Sequence, residues 1–274
     1  MRELSDSPPS LTDPVCQAPT QAQLESAVAR HWLRELREPA HHLHRKYWEY
    51  AWLLQALAGR GLIAPGRRGL GFAVGREPIA AYLASAGVQV LATDGPGESI
   101  DCHWRETGQH AASREDLNLR WLCPPDRFAE NVRFRVEDMR APAADLADFD
   151  FCWSLCAIEH LGDLDQLRRF VTRSLAMVKP GGWVAHSGEL FCGDANQTPP
   201  LAGPTIIPGP EHYRALAAEL ESAGHAVAPL NFNLGADPLD RIIDTPPYSL
   251  TRHLKLDYQG VATTSFGLLV QRQC

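Results

Sequence analysis

Gly69, Gly71 and Gly75 fall close together in the stretch GLGFAVG, with Phe72 and Ala73 inside it, and Asp94 closes the apolar run that follows. A turn of small residues admits unusual dihedrals and lets a ligand approach the backbone closely. Pro78 suits the first turn of a helix, whose N-terminal N–H groups would face whatever the glycines cradle. A carboxylate 19 residues after Gly75 is placed to take both hydroxyls of an adenosine ribose, and it would repel a 2′-phosphate, which disfavours NADP. Farther along, Glu159 and His160 follow a strongly apolar run. Imidazole titrates near neutral pH, so His160 is a candidate general base with Glu159 beside it. The same two residues also read as a structural helix-start pair. His186 and Glu189 are further candidates on the next strand.

The surrounding elements have to position these groups. Residues 67–94 read as strand, glycine turn, helix and second strand, a single βαβ unit. Residues 132–136 (VRFRV) alternate as a third strand and run into Asp138 and Met139. Residues 149–155 (FDFCWSL) are almost continuously apolar, as expected of a central parallel strand buried on both faces. A helix follows from about residue 163, Lys179–Pro180–Gly181–Gly182 ends it, and 183–189 form the fifth strand. A further helix is expected over 211–223, with the last two strands at 228–232 and 264–270. Between those strands, 233–260 is long enough to suggest a role in an acceptor pocket. A helix near 113–121 is also expected, and His103 and His110, in the loop after the second strand, read as solvent-facing.

Ahead of this core, apolar positions repeat at helical spacing over 21–36 and 43–58. These two helices either pack simply on the sheet or form a lid whose aromatics help to enclose a ligand. His41, His42 and His44 have no carboxylate or cysteine at ligand spacing, so they read as a solvated helix start and no metal site is expected. Residues 1–20, rich in Pro, Ser and Thr, read as a disordered tail.

The bulk properties narrow the classes. The chain has 274 residues, 45% of them apolar, and carries a net charge of −7 with no lysine-rich block. Nucleic acid is a poor partner for such a surface. No run of about 18 apolar residues suggests a membrane span, and the N-terminus lacks the apolar core of a secretory signal. Seven cysteines, an odd number without a CxxC pair, point to a reducing, cytoplasmic setting. Cys152, within an apolar run, reads as a buried thiol. A monomer or homodimer acting on a small molecule or peptide fits this profile.

A lone glycine turn is shared by NAD, FAD and S-adenosylmethionine proteins, and the spacing here departs from the GxGxxG of the NAD fingerprint. Taken in order, the turn with Asp94, then VEDM, FDFCWSLCAIEHL and KPGGWVAHSGE resemble the class I S-adenosylmethionine-dependent methyltransferases. The resemblance implies a Rossmann-like, doubly wound α/β fold with a seven-stranded, mostly parallel sheet under an N-terminal helical lid. It divides the chain into a tail (1–20), a helical cap (21–60) and a catalytic domain (61–274). It implies S-adenosylmethionine as cofactor, with Gly71, Phe72, Ala73 and Gly75 under its methionine part and Asp94 and Gly95 at the ribose. Asp138 and Met139 would meet the adenine, and Ser154 and Leu155 the methionine end. The family often carries an acid two residues before the first turn glycine. Here that place is Gly69, and Glu77 or a lid residue is the expected substitute. Alternatives are an NAD-linked oxidoreductase of related fold and a non-catalytic S-adenosylmethionine-binding protein.

Overall fold

The computed structural model describes residues 2–96, 108–193, 199, 201 and 203–273. Its centre is the apolar run identified above: the strand Phe149–Ser154 is buried along its whole length. Such a strand needs a neighbour on each side and cover on each face. It pairs in parallel with Arg68–Gly71 on one side and with Val178–Phe191 on the other. Arg68–Gly71 pairs onward with Gln89–Asp94, and that strand with Val132–Val136. Val261–Gln271 runs antiparallel against Val178–Phe191. Numbered in chain order, these are β3 (Arg68–Gly71), β4 (Gln89–Asp94), β5 (Val132–Val136), β6 (Phe149–Ser154), β7 (Val178–Phe191) and β13 (Val261–Gln271). The strand order reverses between β3 and β6, and in open α/β sheets the crevice at the carboxyl ends of such strands is where ligands bind. The doubly wound α/β class is as expected.

The far edge of the sheet differs from the expected seven strands, because among the described residues the main sheet has eleven. Beyond β13 the edge is shared by short segments, among them β1 (Cys16–Gln17), β8 (Ala226–Val227) and β12 (Lys255–Tyr258). The expected strand at 228–232 shrinks to β9 (Leu230–Asn231), and β1 lies between it and β13. The tail expected to be disordered is therefore a sheet strand. Leu11, Cys16 and Ala18 are buried, and Leu4 N–H and Asn231 Nδ2 bond across to Leu230 and Ser7 carbonyls. Its Pro/Ser/Thr composition hid three apolar residues that the sheet edge covers.

The cap consists of α1 (Gln21–Leu24), α2 (Ala27–Glu35) and α3 (Arg45–Gly59), with Thr20 and Ser26 capping the first two through their hydroxyls. Helix α3 lies on β13: a Cβ at Gly267 would collide with the Trp52 indole. The three cap indoles each find an acceptor: Trp32 on Gln55, Trp48 on Gln23 and Trp52 on the Val15 carbonyl. This settles buried polar N–H groups as packing requires. The expected helix at 113–121 is only a 3-10 turn over Arg114–Leu117, and Pro125–Asn131 forms a short helix that the pattern did not suggest.

Candidate functional site

The glycine turn leaves β3 with Ala73 (φ 46°) and Gly75 (φ 52°) in the left-handed region. A Cβ on Gly75 would come within 2.7 Å of the Gln109 carbonyl oxygen, so only glycine fits there. Asp94 ends β4 with its carboxylate fastened by two backbone donors, Gly95 N–H at 2.8 Å and Ala111 N–H at 2.9 Å. Burial pushes its carboxyl up against those hydrogen bonds. After β6 the chain turns at Leu155–Cys156, Cys156 taking φ 48° while its N–H donates to the Ser187 carbonyl and hydroxyl. These three turns and the start of α3 enclose one cavity of about 720 Å³, within the ~300–1,000 Å³ usual for ligand sites.

The expected site residues divide into those that face this cavity and those that do not. Ala73, Gly75, Asp94, Leu155, Glu159 and His160 line it. Phe72 is instead a core residue, edge-on to Phe170 at 5.2 Å. Gly71 lies just behind the turn, where a Cβ would strike Trp153 at 2.5 Å. Gly95 contributes its carbonyl to His110 Nε2 at 3.1 Å, so His110 is a cavity residue where solvent exposure was expected. His103 lies outside the described residues. Asp138 and Met139 do not reach the cavity. Asp138 is paired with Arg140 at 2.7 Å, which with a hydrogen bond holds its carboxyl below the usual range, and Met139 is buried in the core. An acid and a base two residues apart can close on each other locally, and sequence order alone does not reveal that. Ser154 faces the core as well: its hydroxyl meets His186 Nδ1 at 2.9 Å, and Ser174 meets Nε2 at 2.9 Å. Burial pushes His186 down to about 3, which makes it a neutral structural residue and removes it as a base.

Gly69 has a packing reason. A Cβ there would sit 2.5 Å from the Phe151 ring and 3.1 Å from Trp153, so aromatic rings of β6 fill the place where an acid would stand. Glu77 lines the cavity near that turn instead, held by Lys46 Nζ at 2.5 Å. Lys46 also reaches Glu49 at 3.2 Å. Burial pushes Glu77 up to about 7 despite Lys46, so that pair is fully ionised only at higher pH. Burial also opposes the Lys46 ammonium, but Glu77 and Glu49 outweigh it and hold Lys46 well above its usual value.

Charged residues at the start of α3 are what sequence reasoning missed. Arg45, Lys46 and Glu49 sit on a helix that otherwise reads as apolar, and Glu49 is fully buried. Glu49 accepts from Lys46 at 3.2 Å and from the Cys156 thiol at 2.7 Å. Arg45 meets Glu189 at 2.5 Å, and Glu189 also accepts from the Thr263 hydroxyl at 2.5 Å. The available signal was three charges at one end of an amphipathic face, which only a polar cavity can accommodate. His44 caps α3 through Nδ1 and stacks on His253 at 4.7 Å. It is not a solvated helix start, and burial pushes it down to about 3. The helical cap thus both packs on the sheet and walls the cavity.

Glu159 is buried, with Oε1 at 3.8 Å from His160 Nε2. Burial first, then the charge of Glu189, pushes its carboxyl up to about 8. His160 is partly exposed and its Nδ1 lies 3.3 Å from the Thr205 hydroxyl. Among the described residues no helix is long and apolar enough to cross a membrane.

A model of the methyltransferase domain matches residues 70–186. A solved protein of Galdieria sulphuraria, provisionally assigned as a sarcosine dimethylglycine methyltransferase, is 15% identical and shares the fold, covering 90% of this chain and 99% of its own with a TM-score of 0.53. The 1,6-didemethyltoxoflavin-N1-methyltransferase of Burkholderia thailandensis is 18% identical over 80% of this chain and 75% of its own, with a TM-score of 0.45. No curated protein matches the chain.

Proposed function

We propose that this chain, whose residues 70–186 match the methyltransferase domain, moves the methyl group of S-adenosylmethionine to an oxygen or nitrogen of a small molecule or peptide by in-line displacement. One observation carries the reading: the strained turn at Ala73–Gly75, the Asp94 carboxylate and the Leu155–Glu159 turn meet in one cavity at the switch point of the sheet. The bare backbone at Gly75 and the acid at the end of β4 fit the methionine and ribose parts of such a donor. Asp138, turned onto Arg140, lies outside that cavity.

The sulfonium supplies an already activated methyl group. What remains for the protein is to align the acceptor and exclude water, which together are worth up to roughly 7–11 kcal/mol of barrier in favourable cases. Asp94 would anchor the ribose, and the Leu155–Cys156 backbone would flank the methionine end. His160, on the rim with Thr205, would take the proton of an acceptor that arrives as a hydroxyl, with Glu159 beside it.

Titration with S-adenosylhomocysteine and with NAD tests the donor. Micromolar binding of the first and none of the second is expected. Asp94→Ala should weaken that binding about tenfold or more, because it removes charge-assisted hydrogen bonds worth roughly 1.5–3 kcal/mol. Binding of NAD, or an unchanged affinity in the variant, would overturn the assignment.

A further inference from the structure

The acids facing the cavity are nearly all matched. Glu38 pairs with Arg120 at 2.6 Å, Glu77 with Lys46 at 2.5 Å and Glu189 with Arg45 at 2.5 Å. Asp94 is satisfied by two backbone N–H groups. Among the described residues Glu38 Oε1 and Glu159 Oε2 both lack a well-aligned hydrogen bond, but Glu38 Oε1 has the Arg120 guanidinium at 2.6 Å, which leaves Glu159 as the exception. It is 1% exposed, lines the cavity, and its Oε2 has no hydrogen-bond partner among the described residues. A buried carboxyl oxygen without a hydrogen-bond partner is costly in either protonation state, and a ligand group that bonds to it removes the cost.

We propose that Glu159 Oε2 is the anchor for the positively charged nitrogen of the acceptor, so that the substrate is an amine bound as its ammonium. This rests on the methyl-transfer reading above and narrows its acceptor. Tyr47, Tyr50 and Tyr258 line the same cavity, and Tyr50 already accepts a cation, with Lys46 Nζ 5.8 Å from its ring centre. Aromatic faces beside a carboxylate favour an organic cation over a neutral alcohol. The groups facing Glu159 include Glu189 and Glu49, which raise its carboxyl, and Arg45, which lowers it, with the His160 imidazole, the Cys156 thiol and the Tyr213 phenol alongside. Its carboxyl therefore holds a proton at neutral pH, and that proton leaves to solvent as the ammonium arrives, so that a carboxylate faces the cation. Once the cation is seated, a proton passing from its nitrogen to Oε2 frees the nitrogen lone pair for alkylation, and no other bond changes in that step.

A divalent metal is the rival occupant, since ligand atoms of Cys156, Glu159 and Glu189 lie within 4.8 Å of one another. Both Glu189 oxygens are already engaged by Arg45 and Thr263, and the Cys156 thiol donates to Glu49 at 2.7 Å. A thiol must be deprotonated to bind a metal, and burial together with Glu49 holds this one protonated.

The test is calorimetric titration of the S-adenosylhomocysteine-loaded protein with benzylamine and with benzyl alcohol. Benzylamine should bind about tenfold tighter or more, and its affinity should rise from about pH 6 to about pH 8 as the Glu159 proton becomes easier to displace. Glu159→Gln should abolish the preference for the amine while leaving S-adenosylhomocysteine affinity unchanged. Absence of any preference in the wild type, or a preference that survives in Glu159→Gln, overturns the proposal. Zinc binding that competes with benzylamine and is lost in Cys156→Ser overturns it in favour of a metal. Failure of the wild type to bind S-adenosylhomocysteine would strike the donor assignment instead.

Discussion

Lys46 Nζ lies 2.5 Å from Glu77 and so joins the first turn of α3 to the residue just after the glycine turn. The same ammonium reaches Glu49 at 3.2 Å, so one cation holds two largely buried acids from separate parts of the chain. The helical cap is tied to the glycine-turn side of the cavity by this contact, whereas the Trp52 indole packs it on β13 at Gly267.

Removing that cation should be severe. Breaking a buried pair from one side typically costs about 3–5 kcal/mol, because the partner charge is left uncompensated. Lys46→Met should lose stability of that order at pH 8 by urea denaturation. The loss should be smaller at pH 5, because Glu77, raised to about 7 even in the wild type, is then protonated and carries no charge to strand.

Restoring the family's acid before the turn should fail. Gly69→Glu puts a Cβ 2.5 Å from the Phe151 ring, and overpacking of this kind typically costs about 1–3 kcal/mol. A lower melting temperature with no gain in S-adenosylhomocysteine affinity is expected. Tighter binding would show that the aromatic rings yield easily and that the acid is missed.

The N-terminal segment offers a clean contrast. Leu11 is 1% exposed, so Leu11→Ala should cost about 2–5 kcal/mol, as buried leucine truncations do. A disordered tail would tolerate the change within about 0.5 kcal/mol. Chemical denaturation of the full chain distinguishes the two.

Glu159 should also shape the pH dependence of folding. Its carboxyl is raised to about 8 in the folded protein, against about 4.3 in an unfolded chain. A raised acid contributes stability below the unfolded value that is lost as pH climbs through the folded one. Glu159→Gln does not titrate, so its stability relative to wild type should grow steadily from about pH 4 to about pH 8. Parallel curves for the two proteins would show that Glu159 ionises freely in the folded state.

Much of the architecture follows from local pattern. The glycine turn and Asp94 belong to one βαβ unit, and the apolar run at 149–154 demanded a strand with neighbours on both sides. Asp94, Ala73 and Gly75 reach the cavity because their positions are set by the ends of regular elements within a short stretch of chain. Periodicity is a short-range property, and these features need nothing else.

The rest was decided by contacts between distant residues. Gln17 pairs with Gly267, a match of two segments at opposite ends of the chain, and no local signal in the Pro-rich start announces it. Arg45 finding Glu189, Lys46 finding Glu77 and Phe151 covering Gly69 are of the same kind. Asp138 stands outside the cavity lining because its short-range pairing with Arg140 prevails over its place in the motif order. Sequence alone therefore determined that there is a glycine turn between strand and helix and which acid ends the second strand, since local backbone geometry sets both. Which charges are matched, and that Glu159 Oε2 is left without a donor, depended on how the cap and sheet close over the cavity, because a buried charge is defined by its neighbours in space.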